Sequence, residues 1–429
     1  MNSDLTESVQ ASIRPGEMVD AYYYGETNLE KQAYPAVVNT RFVQQFTNLG
    51  AGSSQFVISP QGGVSDIVCQ FVTAAGTYTN FNLDQGWGYS LINRLSVRYG
   101  SSAQYFWSGP QMFLQNLLDA ENATKADAIS KLGGNALVGA ACAGAVAYVY
   151  LKLPHNSCRA SGKPLPFPTD LLVQPIVVTI ELYAANSILI STSNPIVPAT
   201  GAPSALASAQ LQVKQEMLTD TSDILARRVD MNSHAYTFPL MYFAQQETQV
   251  QFTSTTNLTD ILSVNLTGFR AGEVKSIVLW LTPALTGVGA TQVSNAPGTG
   301  GYQPLNWPLL NNVTLTYNGE IFSRFDSGSS QLWNITCDEK SATYNNSVTA
   351  PGPGAAPAGV VSYWTDCPFA QVCVPYDKEM KLIHGKPILN AVVNLQFSAP
   401  AVSTAYVLHA MYLYNASLLC SRGSAEYIF

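Results

Sequence analysis

Charged side chains are scarce in this chain. Asp, Glu, Lys and Arg make up 11% of its 429 residues, against about 25% in ordinary soluble domains. A free monomer usually keeps more charge on its exterior, so much of this surface is expected to end against other protein. Basic residues are the scarcer sign, 21 Lys and Arg against 28 Asp and Glu, for a net charge of −7. Such a chain has no basic footprint with which to displace counterions from phosphates, and direct binding of nucleic acid is not expected.

Residues that carry chemistry are equally thin. The four histidines, His155, His234, His384 and His409, are isolated in sequence, whereas a metal site on a β-barrel of the cupin kind needs clustered imidazoles. No phosphate-cradling loop is present. Ser161-Gly162-Lys163-Pro164 and His384-Gly385-Lys386-Pro387 both stop at proline, which has no N–H to offer a phosphate. Gly298-Thr299-Gly300-Gly301 lacks the strand-to-helix setting of a dinucleotide site, and Gly-x-Ser-x-Gly does not occur. The separation of a hydrolytic carboxylate pair is a property of the fold, but the 28 acidic residues form no focused cluster. The expectation is therefore no enzyme: no catalytic residue, no cofactor-binding residue, no cofactor and no metal site.

Cysteines number seven (Cys69, Cys142, Cys158, Cys337, Cys367, Cys373 and Cys420), with no Cys-x-x-Cys pair. They read as reduced, mostly buried thiols of a reducing compartment, with a loop clip or metal pair at Cys367 and Cys373 as the alternative. The first residues, Met1 to Glu7, lack the basic start and apolar run of a secretory signal. Without export, the seven Asn-x-Ser/Thr sequons at Asn122, Asn257, Asn265, Asn312, Asn334, Asn345 and Asn415 read as Asn/Thr-rich strand sequence and not as glycan acceptors. Leu132 to Leu151 is free of charge and long enough to span a bilayer. Its Gly/Ala/Asn-rich first half and the Ala145–Leu151 run predict a loop followed by a strand instead.

What the chain does have is apolar and aromatic bulk: 47% apolar residues, with 22 Tyr and 17 Phe. That is enough to offset the entropy of ordering most of the chain, and the length suits two or three domains at roughly 150 residues each. Most of the sequence alternates with period two. Leu95, Val97 and Tyr99 share a face opposite Arg94, Ser96 and Arg98. Val178, Ile180 and Leu182 alternate with Thr179 and Glu181, and Val313, Leu315 and Tyr317 with Thr314 and Thr316. These patterns predict half-buried antiparallel strands. Further strands are expected at 55–59, 66–73, 262–266, 276–282, 392–397 and 406–414. Short helices are expected over 110–118 and 219–228. Asn186–Ser204, Pro283–Asn306 and Ala350–Gly359 read as long surface loops, or for the last a flexible linker.

An internal repeat organises these strands. Leu91–Tyr99 aligns with Leu309–Tyr317 at an offset of 218, with three identities and four conservative exchanges in nine positions. Ile67, Val68 and Phe71 match Ile277, Val278 and Leu281; Ser108-Gly109 matches Ser327-Gly328; Ile176–Leu182 matches Ala391–Phe397. Four matches in one order at nearly one offset imply two copies of one β-unit. The charged segment from Lys214 to Arg228 lies between them. Each copy has the size of two four-stranded sheets in a jelly roll with long loops. The predicted class is all-β, two tandem eight-stranded jelly rolls with short helices. Residues 1–35 would be an N-terminal arm, 36–215 the first roll, 216–234 a connector and 235–429 the second roll.

Particular segments carry a family likeness. Leu151-Lys152-Leu153-Pro154, Gly162–Pro166 and Leu171–Ile180 resemble the end of the first roll in double jelly-roll major capsid proteins. This lineage of icosahedral DNA viruses takes in bacteriophages, adenoviruses and large eukaryotic DNA viruses. Asn318-Gly319-Glu320-Ile321-Phe322-Ser323-Arg324-Phe325 is similar to the Asn-Gly to Arg-Phe element of the second roll in iridovirus and phycodnavirus capsid proteins. Tyr414-Asn415, Leu418-Leu419 and Gly423–Tyr427 resemble their C-terminal pattern. The chain is shorter than those relatives, which implies small outer loops.

The resemblance implies a homotrimer, a pseudo-hexameric capsomer whose six rolls tile an icosahedral shell over an internal membrane. Its expected partners are copies of itself, neighbouring capsomers, minor capsid or penton proteins, and the membrane through the N-terminal arm, with no direct nucleic acid. The expected location is the virion, after assembly in the host cytoplasm or nucleus. The alternative function is a carbohydrate-binding β-sandwich, lectin-like or receptor-binding.

Overall fold

The computed structural model describes residues 37–83, 86–118, 128–129, 131–151, 167–191, 201–218, 229, 233–251, 262–268, 274–283, 310–325, 369–373, 382–383, 386–387, 391–397 and 405–428. Eight principal strands make up the first half: β1 (Val37–Gln45), β2 (Gly52–Ile58), β3 (Gly63–Thr73), β4 (Ile92–Tyr99), β5 (Tyr105–Trp107), β6 (Val146–Tyr150), β7 (Ile176–Leu182) and β8 (Leu206–Leu218). They pair antiparallel in the orders β1-β8-β3-β6 and β2-β7-β4-β5. Alternation decides which side of each strand enters the core: Leu95, Val97, Val178 and Ile180 are fully buried, while Arg94 and Arg98 point to solvent.

The second half repeats the scheme with β9 (Ala235–Gln251), β10 (Leu262–Asn265), β11 (Val274–Pro283), β12 (Leu310–Tyr317), β13 (Glu320–Phe325), β14 (Phe369–Cys373), β15 (Ala391–Phe397) and β16 (Ala405–Ser421). Its sheets run β9-β16-β11-β14 and β10-β15-β12-β13. Each strand of the first half therefore has its counterpart eight strands later, in the same place in the same sheet. Three of the four sequence matches fall on such pairs, β4 with β12, β3 with β11 and β7 with β15. The fourth cannot be compared, since Ser327-Gly328 lies outside the described residues. Two tight hairpins close the second half. Asn318-Gly319 joins β12 to β13, and Arg422-Gly423 joins β16 to β17 (Ser424–Ile428); all four residues have positive φ, between 49° and 83°, the backbone such two-residue turns require.

The helix expected at Pro110 starts one residue earlier. Helix α1 (Trp87–Ser90) is a single turn, and α2 (Gly109–Leu118) follows β5. Ser108 caps α2: its Oγ accepts from the Gln111 N–H at 3.4 Å, and its own N–H donates to Gln111 Oε1 at 2.7 Å. This Ser-x-x-Gln capping box is a sequence signal that the Pro110 reading passed over. Met112 and Phe113 bury the helix against the first roll, with the Phe113 and Tyr89 rings 5.1 Å apart.

Leu132–Leu151 forms a short strand at Leu137–Val138, a 3-10 turn over Gly139–Cys142 and then β6. Among the described residues no helix is long and apolar enough to cross a membrane.

Two expectations are corrected. The charged stretch from Lys214 begins inside β8, because Gln215 is buried and donates to the carbonyls of Ser59 and Gln61. The loop expected from Asn186 opens with a 3-10 turn at Ala185–Ile188 and a strand, Ile190–Ser191, paired with Phe81–Asn82. The helix expected over 219–228 and the loops at 284–306 and 350–359 lie outside the described residues.

The halves share apolar contacts. Phe167 meets Phe238 edge to face at 5.4 Å, and the Val173 N–H donates to the Gly423 carbonyl at 2.9 Å. The buried cluster of the first roll runs on through Tyr236, Phe238, Val278, Met411, Leu413 and Leu418 of the second.

Candidate assembly surfaces

Cys69, Cys142 and Cys420 are free and buried. Burial pushes the Cys69 thiol far above its ordinary range, raises that of Cys142 and lifts that of Cys420 to about 12, so all three are held protonated and are poor nucleophiles. Cys373 lies in β14, and Cys158, Cys337 and Cys367 lie outside the described residues. Among the described residues no three His, Cys, Asp or Glu side chains stand close enough to hold a metal ion. Of the sequons, Asn265 ends β10 with its side chain exposed, and Asn312 and Asn415 lie within β12 and β16, as the strand reading expected. Asn122, Asn257, Asn334 and Asn345 are outside the described residues, as are His155 and His384.

His409 instead belongs to a polar seam between the two rolls. Gln111, buried at the start of α2, donates from Nε2 to Gln245 Oε1 on β9. Gln245 Nε2 in turn lies 2.6 Å from Glu247 Oε1 and 2.8 Å from His409 Nδ1, and that nitrogen is 3.5 Å from Glu247 Oε1. The hydrogen bond from His409 holds the Glu247 carboxyl below its ordinary value of 4.5. Tyr183, just past β7, has its hydroxyl pushed up by burial and then by the carboxylates of Glu247 and Glu181. Both ends of the Gln111 amide are thus occupied, one by its own helix cap and one by the opposite roll. This arrangement sets the position of one roll on the other. A two-residue period places Gln245 and Glu247 on one face of β9; it does not say that α2 lies across that face, and sequence reading missed the seam.

The outer faces of the two equivalent sheets differ. In the second roll Val278 pairs with Met411, and Met411 with Gln245. Val278 and Met411 are buried at 2% and 1% exposure, within the cluster that includes the first roll's core. Their neighbours Ile277, Leu279, Ala410 and Tyr412 are buried on the opposite side of the same strands. In the first roll the matching row is Val68, Gln212 and Val43, continued by Tyr150 on the edge strand β6. Val43 and Tyr150 are 50% and 45% exposed, and Val146 and Tyr148 beside them are also exposed. The next row is a glutamine ladder: Gln45 donates to Gln210 at 3.4 Å, while Gln210 and Gln212, the latter at 3.1 Å, donate to Gln70.

No family model and no curated protein matches this sequence. Solved structures do. VP54 of the virus PBCV-1, fitted into a reconstruction of the virophage Sputnik, superposes with a TM-score of 0.60 at 14% identity, covering 94% of this chain and 99% of its own. A chain of the Sputnik virophage structure gives 0.56 at 12% identity, with 94% and 91% covered. The mavirus major capsid protein gives 0.54 at 10% identity, with 95% and 94% covered. The chain folds as a double jelly roll. Its fold is that of viral major capsid proteins, and the double jelly roll accounts for both the repeated strand order and the long share of each chain that superposes.

Proposed function

We propose that this double jelly roll is a structural major capsid protein without catalytic activity, located in the virion. Three copies would form a pseudo-hexagonal capsomer that tiles an icosahedral shell over an internal membrane. Residues 36–218 and 235–429 would be the two rolls, 219–234 the connector, and residues 1–35 an inner arm meeting membrane, neighbours, or minor and penton proteins. Assembly would take place in the host cytoplasm or nucleus.

The observation that carries this reading is the identical connection of eight strands in both halves. Duplication within one chain lets threefold symmetry produce a six-sided block. Few charges and many aromatic residues suit a chain that buries much of its surface in such contacts. Size-exclusion chromatography with light scattering should give about three times 46.1 kDa, and negative-stain images should show hexagonal blocks. A stable monomer would overturn the proposal.

A further inference from the structure

We infer that His409 is a proton-operated latch on the seam between the two rolls: the neutral ring keeps Gln111 of one roll bonded to Gln245 of the other, and the protonated ring releases that bond. The inference is internal to one chain and does not rest on the capsomer reading. Its warrant is the direction of the hydrogen bonds, which a backbone group fixes. The Ser108 N–H can only donate, and it donates to Gln111 Oε1. The Gln111 amide therefore presents its Nε2 to the second roll, where Gln245 Oε1 accepts. Gln245 in turn presents its own Nε2, whose two hydrogens meet Glu247 Oε1 at 2.6 Å and His409 Nδ1 at 2.8 Å. Facing a donor, that ring nitrogen has one role, as acceptor. His409 thus stands in the seam as the neutral imidazole with its proton on Nε2.

A proton on Nδ1 reverses the role of that one atom. Two donors then face each other at 2.8 Å, while Glu247 Oε1, 3.5 Å away and opposite His409 in the β9–β16 register, accepts the new N–H. Gln245 can meet an imidazolium only by turning its amide so that Oε1 points to the ring, and this sets its Nε2 against the Nε2 of Gln111. Gln111 cannot turn in answer, because its oxygen holds the Ser108 N–H at the start of α2. The bond across the seam is lost, and buried Gln111 is left with an unmet donor. The surroundings favour this outcome. Among the described residues the titratable groups about the ring are Glu247 of β9 and, from the end of β7, Glu181 and Tyr183, whose hydroxyl feels both carboxylates. Arg94, the strand partner of Glu181, has its guanidinium over the Phe106 ring at 3.9 Å. Trp280, paired with His409 on β11, and every residue of α2 are uncharged. The His409 side chain keeps 14% of its surface exposed, which gives solvent protons access.

The test is a double-mutant cycle of Gln111→Met and Gln245→Met in the full chain, read as melting temperature at about pH 8 and about pH 5.5, near the two ends of the range in which an imidazole changes charge. Glu247, held below 4.5, stays ionised at both. At the higher pH the double variant should melt no lower than the worse single variant, because each single change orphans the amide it leaves behind. At the lower pH the two losses should add. With His409→Asn as background, where an amide oxygen accepts and never titrates, the losses should remain non-additive at both. Non-additivity of equal size at both pH values in the His409 protein overturns the latch, as does its disappearance at low pH in the His409→Asn background. If any of these variants does not fold, hydrogen exchange of the wild type decides. After correction for intrinsic rate, backbone amides of 108–112 and of β9 around Gln245 should lose protection at the lower pH while those of β4 keep theirs. Unchanged protection at 108–112 and β9 overturns the inference.

Discussion

Val68 and Val278 hold the same position in the two rolls, yet Val278 is buried beneath the neighbouring roll while Val68 remains partly exposed. A duplicated unit inside one chain makes its two copies inequivalent: one receives a neighbour through the covalent chain and the other does not. The seam at Gln111, Gln245, Glu247 and His409 is the local record of that inequivalence.

Core strand faces are the first target. Val97 and its second-roll counterpart Leu315 are fully buried. Val97→Asp or Leu315→Asp places a carboxylate there with no partner, at a cost of about 3–5 kcal/mol. Either variant should fail to give soluble folded protein in an expression and thermal-melt assay. Arg98→Gln, one residue along on the exposed face, should melt as wild type does. A soluble Val97→Asp protein of wild-type mass would contradict the assignment of faces.

The seam should respond to acid. Glu247 has its carboxyl lowered in the folded state, first by the hydrogen bond from His409. A depressed carboxylate value contributes stability above the unfolded value, and that contribution is lost as pH falls through the folded one. Below about pH 4.5 the wild type should therefore lose melting temperature more steeply than Glu247→Gln, with little difference between them at pH 7 in the slope. Glu247 is 59% exposed, so the effect is small and should shrink in high salt. Parallel melting curves of the two proteins across this acid range would remove the role given to Glu247.

Helix α2 depends on a bare backbone at its start. A Cβ on Gly109 would lie 1.7 Å from the Tyr89 carbonyl oxygen and 2.8 Å from that of Ile92, and backbone cannot swing aside as a side chain can. Gly109→Ala should destabilise the first roll by about 3 kcal/mol, the upper end of ordinary overpacking. Gly201→Ala, where nothing lies within 4 Å of the added carbon, should leave the melting temperature unchanged. Equal melting of both variants would show that α2 can shift without loss.

Much of this architecture was legible beforehand because its signals are local. Alternation along β4, β7 and β12 states which side chains are buried, since successive residues of a strand point to opposite faces. Asn318-Gly319 marks a hairpin because both positions need positive φ. Ser108-x-x-Gln111 would also have placed the start of α2. The repeat identified corresponding strands because both copies bury the same side of the same strand. What period two cannot state is which strand lies beside which. The pairing of Val43 with Gln212, or of Gln111 with Gln245 across the seam, joins residues far apart in the chain, and no pattern within either segment encodes the other.

The amino-acid sequence alone therefore determined the class, the duplication and the buried side of its strands, because side-chain alternation and repeat spacing act over a few residues or at one fixed offset. Tertiary structure decided the order of strands within each sheet and which outer face of the two rolls is covered. Both depend on the closing of long loops and on the packing of one roll against the other, which exist only once the chain has folded.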